Sequence, residues 1–203
     1  MSTVKSKKLQ VGTDATATNN FTIYQPSTPD GTLRIGVGNA DSPTEVGQFN
    51  SNGYKPVTAP AFFVALTSDQ SVSSGVYTKV AFNSVEFDTT SNWDATNYRY
   101  TPNIAGYYQI NASLRHRANG NLSNALSGFF KNGIEYSRLS GPQIASATIG
   151  QIFGSSGSSI VYLNGTTDYI ELYGLNSTST NNRFGGSSNK VVTVFSGHLI
   201  QQA

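Results

Sequence analysis

From Gly106 to Arg117 apolar and polar side chains alternate along the chain. Tyr108, Ile110, Ala112 and Leu114 fall on one parity, and Tyr107, Gln109, Asn111 and Ser113 on the other. A period of two predicts a strand with one buried face. Pro102 and Gly106 mark a turn before it. Similar runs recur from Pro60 onward, at 61–66, 78–82, 84–87, 98–101, 125–131, 147–154, 159–163, 169–175 and 190–201. They end at Gly, Asn, Ser or Pro every eight to fifteen residues or so, the spacing of a sandwich or barrel. Asn132-Gly133 and Asn164-Gly165 are strong turn dipeptides, and Gly154 to Ser159 reads as a flexible turn. The last run sets Val191, Thr193, Phe195, Gly197 and Leu199 on one face, which suits a central strand. No long window carries a 3.6-residue period, so no helix is expected.

The first 56 residues differ from the rest. They hold short extended pieces at 8–11, 20–24, 32–37 and 46–49, separated by turn chemistry at Pro26, Pro29-Asp30-Gly31, Gly38-Asn39 and Asn52-Gly53. So few apolar residues cannot close a core in one copy, because small cores are marginal. The segment needs a partner surface, either identical copies in an intertwined stalk or another protein on which it docks. Gly53 to Pro60, with Pro56 and Pro60, reads as a stiff linker. The expected domains are therefore 1–56, an anchor or stem, and 57–203, a single β-sandwich.

Composition supports this division and narrows the function. Charged residues make up 12% of the 203 residues and hydrophobic ones 37%, both below the usual share. Aromatic content of 11% separates the chain from disordered polar sequences. A net charge of +2 is too small for nucleic acid to be the main partner. Lys5, Lys7 and Lys8 form one basic cluster, read either as a solvated tail or as a contact for an acidic protein surface. The chain has no cysteine, which removes disulfides and thiolate metal sites. No apolar stretch reaches membrane-spanning length. The opening residues lack the apolar core of a secretory signal, so assembly in a host cytoplasm is expected.

Residues 60 to 201 resemble the globular head of the complement first component, one of the tumour-necrosis-factor-like jelly rolls. The matching pieces occur in the family's order. They are Pro60-Ala-Phe-Phe-Val-Ala65, Val80-Ala-Phe82 with Phe87-Asp88, and Tyr98 to Pro102 followed by Gly106-Tyr-Tyr-Gln-Ile110. Phe130-Lys-Asn-Gly133, Leu163 to Ile170 and Phe195-Ser-Gly-His-Leu-Ile200 complete the series. Ile110 stands where the family usually has an aromatic residue, and no Gly-X-Y repeat precedes Pro60. These departures point away from complement or hormone function. Residues 20–35 and 49–53 are similar to anchoring or stalk segments of bacteriophage fibre and decoration proteins. The two resemblances together imply an all-β chain: a TNF-like jelly-roll sandwich behind an extended β-rich stem, assembled as a homotrimer on a phage virion.

Candidate chemistry is sparse. His116 and His198 lie within predicted strands, away from carboxylates in sequence, and read as packed or surface histidines. No nucleophile-elbow pattern accompanies them, so no catalytic residue is assigned and no enzyme activity is expected. Glu86, Asp88 and Asp94 are close enough along the chain to suggest Ca²⁺, though such a group is more often a solvated edge. No cofactor is implied. Asn20, Asn111, Asn121, Asn164 and Asn176 match the glycosylation pattern by chance in an Asn- and Ser-rich chain. Trp93, Tyr98 and Tyr100 could stack on a sugar of a bacterial surface glycan, or pack in a core or trimer interface. Lys5, Lys7, Lys8, Phe21, Ile23, Tyr24, Leu33 and Ile35 are the expected anchor to a major capsid protein or a tail protein. The short stem favours a capsid decoration, or cement, protein over a long tail fibre. A fibre or spike that recognises a host receptor is the alternative.

Overall fold

The computed structural model describes residues 8–12, 14–16, 19–38, 41–56, 59–119, 122–139, 152–178 and 180–203. Lys5 and Lys7 lie outside these residues. The chain divides into two compact units, Met1–Ala59 and Pro60–Ala203.

The N-terminal unit is one antiparallel sheet in chain order. Its strands are β1 (Lys8–Val11), β2 (Phe21–Tyr24), β3 (Leu33–Val37), β4 (Thr44–Asn50) and β5 (Gly53–Pro56). Turn residues set the reversals. Asp30 accepts hydrogen bonds from the Thr32 amide and hydroxyl, and Gly31 adopts φ +80°. The expected stiff linker is corrected in its first half: Gly53 to Pro56 pairs with β4, Asn50 opposite Gly53 and Phe49 opposite Tyr54. Gly53, at φ +106°, closes that hairpin. Unpaired backbone in the neighbouring edge strand recruited these residues despite the proline.

The second unit is a sandwich of two sheets. Its strands are β6 (Ala61–Ala65), β7 (Gln70–Ser71), β8 (Thr78–Lys79), β9 (Ser84–Asp88), β10 (Trp93–Asp94), β11 (Arg99–Tyr100), β12 (Gly106–Arg117), β13 (Leu122–Lys131), β14 (Ile134–Arg138), β15 (Ile152–Leu163), β16 (Ile170–Thr178), β17 (Arg183–Phe184) and β18 (Val194–Gln202). The larger sheet runs β7-β17-β12-β18-β6-β9, with β15 on the other side of β12. The smaller runs β10-β11-β16-β13-β14, and β8 also pairs with β16. No α-helix occurs among the described residues.

β12 alternates as its sequence predicts: Tyr108, Ile110, Ala112, Leu114 and His116 are buried, and the intervening residues are less so. β18 is central, flanked by β12 and β6. Its Phe195 packs edge-on against Phe62 at 5.0 Å and lies near Phe82 and Phe129, both at 5.9 Å. Val191 departs from that inward face; it precedes the strand and is 72% exposed. The core between the sheets is completed by Val64, Tyr100, Val161, Leu163, Ile170 and Leu172.

Gly154 to Ser159 is strand, not turn. Every residue of β15 has a partner in β12, from Leu163 opposite Gly106 to Ile152 opposite Arg117. The small side chains carry little strand propensity, but a long partner strand supplies the hydrogen bonds. Residues 147–151 of the run expected there lie outside the described residues. Asn132-Gly133 forms the expected tight hairpin between β13 and β14, with φ of 53° and 78°.

Candidate functional site

The residues expected to matter separate into three places. The first is the N-terminal sheet. Its register puts Leu9, Val11, Phe21, Ile23, Leu33, Ile35, Val37, Gly47, Phe49 and Tyr54 on one face. The opposite face carries Lys8, Gln10, Thr22, Tyr24, Arg34, Glu45, Gln48 and Lys55. Of the expected anchor residues, Phe21, Ile23, Leu33 and Ile35 therefore share the apolar face, while Lys8 and Tyr24 lie on the polar one. Ion pairs mark the polar face: Arg34 reaches Asp30 at 2.6 Å and Glu45 at 2.9 Å. The Thr32 and Arg34 hydrogen bonds hold the Asp30 carboxyl down at about 2. On the apolar face Leu9 is 59% exposed and Tyr54 56% exposed. A groove of about 530 Å³ opens beside it, lined by Leu9, Ile23, Leu33 and Phe49 and by the polar Gln25, Thr32 and Asn50.

The second place is the loop around Trp93. Tyr100 has no exposed surface. It stacks on Phe62 at 4.2 Å, and burial pushes its hydroxyl up to about 12. It offers no face to a sugar. Trp93 is partly buried and rests against Phe62, Phe82 and Phe195, with ring centroids 5.8 to 6.2 Å apart. Tyr98 is half-buried at φ 52°. The neighbouring carboxylates are engaged by the protein itself. Glu86 pairs with Lys190 at 2.6 Å, which holds its carboxyl below the ordinary range. Asp88 accepts the amides of Thr90 and Trp93. Asp94 accepts the amides of Thr96 and Asn97 and the Asn97 side chain, which lowers its pKa. Among the described residues no three metal-ligating side chains converge.

The third is a buried polar cluster. His116 on β12 faces across the sandwich to β13 and β16. Its Nε2 lies 2.9 Å from Ser127 Oγ and 3.0 Å from Ser155 Oγ. Its Nδ1 contacts Asn176 Oδ1. The Asn176 amide nitrogen donates to the carbonyl of Arg183 at 2.9 Å, so its oxygen faces the imidazole and Nδ1 carries the proton. Nε2 then accepts from a serine hydroxyl, and Ser127 and Ser155 share a further hydrogen bond of 2.5 Å. His116, Ser127, Ser155 and Asn176 are at most 1% exposed. A hydroxyl that no solvent reaches meets no substrate, so this Ser-His-Asn arrangement ties the sheets together. Burial lowers the His116 pKa to about 4, with the Asn176 bond opposing. The strand parity that points Leu114 inward also points His116 inward, but its serine and asparagine partners come from three distant strands. His198, the other histidine, is exposed opposite Gln109.

The outward face of the larger sheet is aromatic in part. Tyr107 and Tyr162, paired across β12 and β15, have ring centroids 5.5 Å apart and are both exposed. Ile160 lies exposed next to them along β15, and the Tyr136 hydroxyl donates to its carbonyl at 2.8 Å. At the far edge, Phe63 and Phe87 stack at 6.2 Å.

No protein-family model matches the chain, and no curated protein matches it. Solved structures do. The Eiger TNF from S. frugiperda is 10% identical over 71% of this chain and 94% of its own, with a TM-score of 0.51. Murine APRIL at pH 8.0 is 12% identical over 70% of this chain and 100% of its own, also with a TM-score of 0.51. The globular domain of zebrafish complement 1qA protein is 18% identical over 71% and 99%, with a TM-score of 0.49. At such identities the likeness is one of fold, and the Eiger and APRIL matches show that the chain carries the jelly-roll sandwich of TNF-like domains.

Proposed function

We propose that this protein is a non-enzymatic structural component of a bacteriophage virion: a homotrimeric capsid decoration protein that docks through its N-terminal unit and displays the jelly-roll unit as a knob. The observation that carries the reading is the N-terminal sheet. It is a single layer with an apolar face exposed, and a sheet in that state belongs to an assembly. The resemblance read in residues 20–35 and 49–53 to phage anchoring segments is the ground for taking a particle as the setting. The exposed Tyr107, Tyr162 and Ile160 on the larger sheet suit self-association of the knobs, and a closed threefold ring needs only one such interface.

Reach supports placement on the capsid. Five strands folded back on one another extend no further than one strand, about 20 Å for six or seven residues. That is a short foot, not a fibre. Labelling virions with an antibody to the jelly-roll unit tests the placement. Label over the capsid is expected; label confined to the tail overturns it, and virions without the chain overturn the virion assignment itself.

The second reading is a tail fibre or spike that recognises a bacterial surface glycan or protein. The exposed Tyr107–Tyr162 pair favours it, since aromatic faces stack on sugars. Excess purified protein would then block phage adsorption, whereas normal adsorption by particles lacking the chain would count against it.

A further inference from the structure

The N-terminal sheet poses a question that the chain can answer: what covers its apolar face. Among the described residues no charged one lies on that face, whereas Lys8, Arg34, Glu45 and Lys55 all lie on the other. An interface that forms and releases resembles ordinary surface in polarity, and a face without charge belongs to a permanent one. The uncovered side chains of Leu9, Val11, Phe21, Leu33, Phe49 and Tyr54 sum to on the order of 700 Å², close to what each partner gives to a standard stable interface. A one-layer sheet also has no second layer of its own against which to bury that face, and other copies of the same chain are a partner always at hand as it folds.

We infer that the apolar faces of three N-terminal sheets pack against one another around the threefold axis, leaving the polar face with Lys8, Tyr24 and Arg34 for the particle. This rests on the trimeric reading above and adds which face the copies share. The dimensions agree. Five strands about 4.8 Å apart make a face about 24 Å wide, and three such faces close a triangular prism with an in-radius of about 7 Å. Side chains of Phe, Leu and Ile, extending roughly 4–6 Å above a sheet, fill that radius, since stacked sheets sit about 10 Å apart. The middle strand, β3, faces the axis, and its Ile35 stands at the centre. Gly47, on the same face, is covered by the Tyr54 ring, which gives the face a flat flank.

The absence of cysteine makes a single introduced thiol a clean probe. In the prism, Ile35→Cys thiols would lie about 8 Å apart, within reach of a short bismaleimide, whereas Lys55→Cys thiols on the opposite face would be more than about 20 Å apart. The full chain carrying Ile35→Cys should run largely as a covalent dimer after treatment, and Lys55→Cys should stay more than tenfold less crosslinked. Leu33→Cys, on the same strand and face, gives the same readout should Ile35→Cys assemble poorly. Light scattering accompanies each sample. A trimer that crosslinks at neither Ile35→Cys nor Leu33→Cys, or equally at Lys55→Cys, overturns the inference while the trimer stands; a particle protein then covers the face. A stable monomer overturns both.

Discussion

His116 Nδ1 donates a hydrogen bond to Asn176 Oδ1 across the two sheets of the sandwich, although sixty residues separate them in the chain. The bond fixes the tautomer, and the two serines on Nε2 complete the neutral ring's hydrogen bonding. Protonating the ring would place a charge on a side chain with no exposed surface, and desolvation makes that costly.

Stability should therefore depend on pH through His116. Its folded-state pKa of about 4 lies below the ordinary 6.5. Between these values the unfolded chain binds the proton and the folded chain does not, so stability is full above about 6.5 and falls as the pH drops toward 4. The loss amounts to about 3 kcal/mol across that window. Urea titrations at pH 7.5 and 4.5 should show it. His116→Gln should be less stable at pH 7.5 but show a shallower decline; an unchanged decline would mean that other groups carry it.

The Lys79–Glu171 pair is asymmetric: the carboxylate side chain is 2% exposed and the ammonium side chain 28%. Lys79→Met strands the carboxylate and should cost about 2 kcal/mol, less than for a pair buried at both ends. Adding Glu171→Leu should recover part of that loss. Denaturant midpoints of the single and double variants decide this; a double variant worse than Lys79→Met alone contradicts it.

Two residues that share parity in the final run should respond differently. Phe195 is fully buried among Phe62, Phe82 and Phe129, and Phe195→Ala should cost about 3–5 kcal/mol. Val191 projects into solvent, so Val191→Ser should stay within about 0.5 kcal/mol of the native chain. Thermal melts of the two variants provide the comparison.

Gly165 and Gly133 both occupy left-handed conformations, at φ 72° and 78°. A side chain at Gly165 would also strike the backbone of Ile104 and Ala105, while one at Gly133 would meet only the Tyr169 hydroxyl, at 3.8 Å. Gly133→Ala should cost about 1 kcal/mol, and Gly165→Ala at least twice that. Equal melting shifts would show that backbone strain alone sets the penalty.

Much of this architecture is written in local pattern. The alternation of β12 told that Tyr108, Ile110, Ala112 and Leu114 turn inward, because strand geometry forces every second residue to one face. The run containing Phe195 and Leu199 announced a central strand, and Asn132-Gly133 announced its hairpin. The paucity of apolar residues before Pro60 raised the expectation of a partner surface.

Only the tertiary structure decided the rest, because it depends on which distant strands meet. Pairing with β12 drew the Gly- and Ser-rich 154–159 run into a strand, and pairing with β4 turned half a linker into β5. Packing withdrew Tyr100 from any ligand and left Tyr107 and Tyr162 outside. The register of five short strands gathered Leu9, Phe21, Ile35, Phe49 and Tyr54 onto one face, which no single piece of 4 to 7 residues could reveal: each contributes one to three apolar side chains, and the face exists only once hydrogen bonds between strands line them up.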